Sequence, residues 1–467
     1  MCGVFGIYAP GRDVARVVYF ALQALQHRGQ ESAGIAVSDG TRITAQRDLG
    51  LVPQVFDEPS LRALEGIAAI GHTRYSTTGS GAWSNTQPVV RSHGRRTVAL
   101  GHNGNLTNID VLREELTEAG VRLTATTDTE VMAALISEHP GTLEEAVADA
   151  MTRLEGAFSV VVADADQIIA FRDADGMRPL VLGDLDGSPV VASETCAFDL
   201  IGAVPIREIE PGELVVLDRD GVRFERALPP HRPGQASLCL LEFVYFARPD
   251  STLDGQVLHG SRIRMGERLA LEAPADADIV VGVPDSGVPA AQGYARASGI
   301  PYTDGLVKNR YVGRTFIQPD QALREQGVRL KFNPLRDVIE GQRLVVVDDS
   351  IVRGSTTRQL VQMFFAAGAA EVHLRVSSPP VISPCFYGID MAGRGELIAA
   401  GRTTEEIRVE LGATSLAYLS LGGLQGATRL PESRVCRACL TGRYPTPIPE
   451  SMLSGGKDRF EVVGAAG

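Results

Sequence analysis

Residues 344–357 read Leu-Val-Val-Val-Asp-Asp-Ser-Ile-Val-Arg-Gly-Ser-Thr-Thr: an unbroken apolar run, two adjacent acids, then a glycine and three hydroxyl residues. Apolar residues without polar alternation suit a strand covered on both faces, the condition of a parallel sheet, and parallel strands need helical crossovers. Residues 279–283 repeat the pattern and also lead through a polar loop into a helical stretch. The C-terminal half is therefore expected to be built from βαβ units. After Arg353 and Gly354, backbone N–H groups at a helix start, with the hydroxyls of Ser355, Thr356 and Thr357, form a phosphate cradle. Asp348 and Asp349 suit ribose hydroxyls and Mg²⁺. Two acids alone are ordinary in a solvated loop; strand, acid pair, glycine and hydroxyl-rich helix start in one run are not.

The N-terminal half has another rhythm. From Cys2 to about Asp218, short β-rich runs alternate with polar turns, including Asp-Gly hairpin signals at Asp39-Gly40 and Asp186-Gly187. An apolar stripe of Val14, Val17, Val18, Ala21, Leu22 and Leu25 predicts a helix over 13–26. Thr127-x-x-Glu130 and Thr142-x-x-Glu145 predict two more, each opened by a capping box. The stretch 228–234, Leu-Pro-Pro-His-Arg-Pro-Gly, breaks both periodicities. Two domains are expected, 2–230 and 235–453, with 454–467 as a flexible tail.

A net charge of −12 argues against nucleic acid or anionic lipid as partners, so a phosphate ligand has to be met locally. No apolar run approaches the roughly 18 residues of a membrane span, and the start lacks the basic flank of a signal peptide. A cytoplasmic location is expected, where the six cysteines stay reduced and serve catalysis, metal binding or packing.

With Met1 removed, Cys2 would carry a thiol and the chain's free α-amine, whose pKa of about 8 lets it take the thiol proton near neutrality. Downstream, Arg74 can clasp a carboxylate bidentately, while the Asn103 amide and the Gly104 N–H can donate to an oxyanion. Cys2-Gly-Val-Phe-Gly, His27-Arg-Gly, Arg74-Tyr-Ser-Thr and His102-Asn-Gly-Asn-Leu together resemble the class II glutamine amidotransferases. The resemblance implies the N-terminal-nucleophile hydrolase fold, an αββα sandwich. It also implies that Cys2 attacks glutamine, Arg74 and Thr77 hold its α-carboxylate end, Asp128 binds its α-amino group, and Asn103 with Gly104 forms the oxyanion hole.

The 344–357 run resembles the phosphoribosyl pyrophosphate (PRPP) signature of type I phosphoribosyltransferases, whose domain has a mainly parallel sheet. Residues 241–251, 283–287 and 308–314 narrow the likeness to the amidophosphoribosyltransferases, across nearly the whole chain. That family makes 5-phosphoribosylamine, glutamate and pyrophosphate from PRPP, glutamine and water, the first committed step of purine synthesis. By resemblance, Ser286 joins Asp348 and Asp349 around Mg²⁺, the 284–287 turn meets pyrophosphate, and 308–324 is a lid whose cations include Lys308 and Arg310. A homotetramer inhibited by purine nucleotides is implied too.

Cys436 and Cys439 form Cys-x-x-Cys, by itself a weak sign of metal, redox chemistry or neither. One subgroup of the family holds a [4Fe–4S] cluster on four cysteines, and Cys239, Cys385, Cys436 and Cys439 fit that layout; tetrahedral zinc accepts the same four thiolates. Cys196 reads as a buried small residue. Two other functions compete. Another class II amidotransferase, acting on a sugar phosphate or aspartate, lacks a reason for the 348–357 pattern. A non-catalytic PRPP-binding regulator lacks a reason for Cys2, Arg74 and Asn103.

Overall fold

The structure is a computed structural model that describes residues 2–76, 79, 81–92, 94–229, 236–309, 328–391 and 393–454. Within residues 3–226 two antiparallel sheets lie face to face. One runs in the order Val204–Glu208, Val181–Leu185, Ser188–Ala192, Gly3–Tyr8, Ala68–Arg74, Ser32–Ser38, Ile43–Leu49. The other runs Gly221–Arg226, Glu213–Asp218, Ile168–Arg172, Gly156–Ala163, Val98–Leu106, Val89–Arg91.

Strand alternation builds the layers. In Gly3–Tyr8, Val4 and Tyr8 enter the core between the sheets with Ile70, Ala99, Val161 and Leu182. Phe5 and Ile7 point the other way and pack under the Val14–Ala24 helix. On the far side, Val160 and Val162 meet Val131, Met132 and Leu135 of the Asp128–Glu138 helix. The outcome is the expected helix, sheet, sheet, helix sandwich.

The local signals behave unevenly. Asp186 and Gly187, at φ 49° and 84°, close a two-residue hairpin between Val181–Leu185 and Ser188–Ala192, the type I′ geometry that Asp-Gly favours. The Thr142 capping box forms, with Thr142 N–H donating to Glu145 at 2.8 Å and Glu145 N–H to Thr142 at 3.2 Å. The Thr127 box does not form. The helix starts at Asp128, but Thr127 makes no side-chain cap and Glu130 turns back to accept from the Thr124 N–H and hydroxyl, both at 2.8 Å, and from the Ala125 N–H at 2.6 Å. That loop offers one carboxylate more donors than a single N-cap nitrogen could.

The second half carries a four-stranded parallel sheet in the order Ile279–Gly282, Arg343–Asp348, Glu371–Val376, Ser415–Tyr418. Val280, Val345 and Val347 face one core, while Val281, Leu344 and Val346 face another with Leu360, Val361 and Phe364 of the Ser355–Ala366 helix. Burial on both faces is what the unbroken apolar runs predict. Within the second half Cys239 pairs in register with Cys436 in a short parallel bridge, and from there the Cys239 N–H reaches across to the first half, donating to the Met177 carbonyl at 3.2 Å.

Candidate active sites

Cys2 stands where the two sheets converge. Gly3, next in the chain, pairs with Thr73, which brings Cys2 beside the end of the Ala68–Arg74 strand. Its thiol donates to the Tyr75 carbonyl at 3.6 Å, and its backbone nitrogen donates to Asn103 Oδ1 at 3.1 Å. Asn103 is fully buried, and with its oxygen so engaged its amide nitrogen has no partner among the described residues. A buried donor left unmatched beside a nucleophile costs stability unless a ligand uses it. Gly104 follows at φ 155°, and a Cβ there would lie 1.9 Å from the Ala157 carbonyl oxygen, so only glycine fits.

Around this centre Arg74 is 2% exposed and lies 3.9 Å from Glu31, which also accepts from the Ser76 N–H at 2.9 Å and hydroxyl at 3.0 Å. Asp128 is buried, receives the Leu106 N–H at 3.0 Å and lies 3.5 Å from His102 Nδ1. Burial works against its charge, but His102 overrides it and holds the carboxyl below its ordinary range. Thr77 lies outside the described residues.

Beneath Cys2 runs a network of buried charges. Arg28 donates to the Cys2 carbonyl at 3.0 Å and pairs with Glu194 and with Glu242, the latter at 2.9 Å. Glu242 also pairs with Arg178 at 3.3 Å, and His27 with Glu194 at 2.7 Å. Burial opposes the Glu194 charge, yet His27 and Arg28 hold its pKa far below normal. Glu194, Glu242 and Arg178 carry no local sequence signal: isolated charged residues become visible as a group only when three remote segments meet.

The second centre lies at the carboxyl end of Arg343–Asp348, where a parallel sheet presents its ligand crevice. Asp348 Oδ1 accepts the Asp349 N–H at 2.9 Å, and Asp349 accepts the Ser350 hydroxyl at 2.6 Å. Burial and the Asp349 charge push Asp348 well above the usual carboxylate range. Burial raises Asp349 as well, against hydrogen bonds from Ser286 and Ser350 and the charge of Arg262. Ser286 is thus beside the acid pair, as expected. Gly354, at φ 77°, precedes the helix that begins Ser355, Thr356, Thr357, and no side chain caps that start. Half-exposed Arg353 pairs with Glu396 at 2.9 Å, and Lys308 pairs with Asp285. Arg310 and most of the 308–324 segment lie outside the described residues. A cleft of about 3110 Å³ is lined from both halves, by Tyr75, Ser76 and Asn105 as well as Tyr245, Asp348 and Thr356.

The four cysteines also converge. Cys439 is raised well above an ordinary thiol by burial, then by the nearness of Cys239, Cys385 and Cys436; Cys436 is raised by burial and Cys239. Among the described residues no group of three or more His, Cys, Asp or Glu side chains is drawn together as for a metal ion. Cys196 is buried at 2% exposure, as expected.

Comparison with known proteins decides the assignment. Residues 72–199 match a glutamine amidotransferase domain and 263–378 a phosphoribosyl transferase domain. The amidophosphoribosyltransferase of Mycobacterium tuberculosis is 52% identical, covering 97% of this chain and 88% of that protein. That of Bacillus subtilis is 47% identical, covering 96% and 94%. The chain belongs to the amidophosphoribosyltransferase family. A solved glutamine PRPP amidotransferase from B. subtilis, complexed with ADP and GMP, superposes with a TM-score of 0.90 at 46% identity, covering 98% of this chain and all of that one. This family member is an enzyme, a pentosyltransferase of purine biosynthesis with glutamine and PRPP as substrates. No helix among the described residues is long and apolar enough to cross a membrane.

Proposed function

We propose that Cys2, freed by loss of Met1, is the nucleophile that opens the glutamine amide, and that its own α-amine moves the proton. The observation that carries this is the Asn103 amide, whose oxygen accepts from the Cys2 nitrogen and whose buried amide nitrogen has no partner among the described residues. Asn103 with the Gly104 N–H stabilises the oxyanion. Arg74, with Thr77, binds the α-carboxylate end of glutamine, and Asp128 binds its α-amino group. The ammonia is consumed in the other half to give 5-phosphoribosylamine, inside the cleft both halves line.

There the Gly354–Thr357 helix start and Arg353 hold phosphate, and Lys308 and Arg310 supply cations for the pyrophosphate. Asp348 and Asp349, with the Ser286 hydroxyl, would hold Mg²⁺. Two buried carboxylates of raised pKa suit a hard cation, which takes few protein ligands because substrate oxygens supply the rest. A Mg²⁺ ion held by Ser286, Asp348 and Asp349 would supply positive charge to offset that of the departing pyrophosphate. Cys239, Cys385, Cys436 and Cys439 would hold a [4Fe–4S] cluster. What supports this is that Cys439, raised first by burial, also lies near enough to Cys239, Cys385 and Cys436 for their charges to raise its pKa further; the same four thiolates would also suit tetrahedral zinc. The cluster's role is structural, tying residues 435–439 to 239. Cytoplasmic location, a homotetramer and inhibition by purine nucleotides complete the reading; the B. subtilis relative was solved with ADP and GMP.

The deciding experiment is phosphoribosylamine formation from glutamine and from ammonia. Cys2→Ala is expected to lower the glutamine reaction about 10³-fold and leave the ammonia reaction within about twofold. Equal loss of both in folded protein would overturn the division of labour. For the cluster, Cys439→Ser is expected to empty a site holding about four iron and four sulfide per chain, and Cys196→Ser to keep them. One zinc and no sulfide would replace the cluster with a zinc site.

A further inference from the structure

Residues 385–388 connect the cysteine cluster to the strand that carries Asn103 and Gly104. Cys385 accepts the Tyr387 N–H at 3.4 Å. The Phe386 carbonyl accepts Asn105 Nδ2 at 2.9 Å, and the Tyr387 carbonyl accepts Arg178 Nε at 2.9 Å. Gly388, at φ 96°, lies directly on Gly104: a Cβ built on it would come 2.6 Å from the Gly104 carbonyl carbon and 2.8 Å from its Cα. The Ala157 carbonyl also closes on Gly104, occupying the space a Cβ would need there. Gly388 thus packs on the Gly104 Cα and carbonyl. The Gly104 N–H lies on the preceding Asn103–Gly104 peptide, which ends at that same Cα, so holding the Cα restrains the direction of the donor, which an oxyanion hole must fix in advance.

We infer that Gly388 is a positioning residue for Gly104, acting through the Gly104 Cα on which the donor N–H peptide ends, so that the oxyanion hole of the N-terminal half is completed by a residue of the C-terminal half. The missing side chain of Gly388 lets backbone meet backbone. Asn105 and Arg178 on either side keep 386–387 from drifting, and Arg178 shares Glu242 with Arg28, which holds the Cys2 carbonyl. Nucleophile and oxyanion donor are thereby referenced to one frame. The inference rests on the proposed role of Gly104 as donor.

The test is Gly388→Ala, whose methyl must displace Gly104. Glutamine hydrolysis is expected to fall about 10²-fold in kcat, the cost typical of losing one oxyanion donor. KM for glutamine should change less than about threefold, the signature of a loss felt only in the transition state. Ammonia-dependent synthesis should stay within about twofold. Alkylation of Cys2 by iodoacetamide, followed by peptide mass, should keep its rate, because displacing iodide builds no oxyanion. Unchanged kcat, or equal loss with ammonia as nitrogen source, overturns the inference. If the alanine variant does not accumulate folded, Asn105→Ala decides, since it removes the 2.9 Å tie without adding bulk. An expected loss of about tenfold in kcat supports the inference, and unchanged kcat rejects it. Cys2→Ala separates the two readings: if it still hydrolyses glutamine, the role of the whole site fails. If it is dead while the Gly388 variant is normal, only the positioning role fails.

Discussion

Cys2 meets Arg28, Tyr75 and Asn103, which come from three separate stretches of chain, and the charge network beneath it adds Arg178, Glu194 and Glu242. The acids, glycine and hydroxyls of the second centre are consecutive, from Asp348 to Thr357. The electrostatics differ in the same way. Under Cys2 every buried carboxylate of the network has an arginine or histidine partner before substrate arrives. At the second centre burial raises both acids, Asp348 further through the charge of Asp349, and hydroxyls with Arg262 oppose the shift only at Asp349. One centre is finished by the protein and the other is finished by its ligand.

Removing a charge should therefore act on chemistry in the second centre and on folding in the first. Asp348→Asn is expected to cut phosphoribosylamine formation about 10³-fold, about 4 kcal/mol, with either nitrogen source. Basal glutaminase and the melting temperature should stay near wild type, because the amide removes a repulsion from the acid pair. A normal response to PRPP and Mg²⁺ in steady-state kinetics would break the comparison at its stronger end.

Glu242→Gln tests the other side. Glu242 is fully buried between Arg28 and Arg178, and losing one partner of such a set leaves uncompensated charge, with a cost of about 3 kcal/mol. At the entropy of a unit of some 200 residues this is a fall of roughly 6 °C or more in Tm, read by calorimetry. An unchanged Tm would mean that water or a rearrangement already compensates the arginines.

These contrasts explain what was legible in the sequence. The parallel sheet and phosphate cradle follow from local chemistry, since strand, loop and helix start are contiguous. Strands mixed with helices were legible as rhythm in the first half and Cys2 by its position, while the sandwich itself came from the likeness to a family. The pairing of Arg28 with Glu242, the placing of Gly388 on Gly104 and the turning of Glu130 toward Thr124 were not legible. Each depends on which segments meet across the fold, and no spacing along one segment encodes that. The chemistry open to Arg74, Asn103 and Gly104 was readable from the residues, but their assembly into one site, and the role of Asp128, came from likeness to a family, since singly they are an ion pair, a turn or a helix start.

The smallest effect separates the two regions by the sign of their response to acid. His72 lies buried between the sheets, with Nε2 on the His102 carbonyl at 3.0 Å and Nδ1 without a partner among the described residues. Burial lowers its pKa to about 3; the His102 carbonyl opposes the shift, and Arg74 and His102 add to it. The unfolded chain binds this proton below about pH 6.5 while the folded chain does not, so stability is present at neutral pH and lost as pH falls, by up to about 1.4 kcal/mol per unit. The acid pair works in reverse, because carboxyls of raised pKa bind protons better in the folded state and stability from them declines as pH rises. Asp173 adds a term of that second kind within the sandwich, its pKa lifted to about 6 by burial and by Asp175, so the wild-type curve alone mixes both signs. The difference between wild type and His72→Gln removes the shared terms. Glutamine's amide keeps a donor for the His102 carbonyl and does not titrate. The expected outcome, from denaturant unfolding between pH 7 and 4.5, is that wild type loses roughly 2–3 kcal/mol more than the variant over that window. Parallel curves would show that His72 is already charged, or reaches water, in the folded protein, and the contrast between a self-neutralised centre and a ligand-neutralised one would then hold for the arginine network alone.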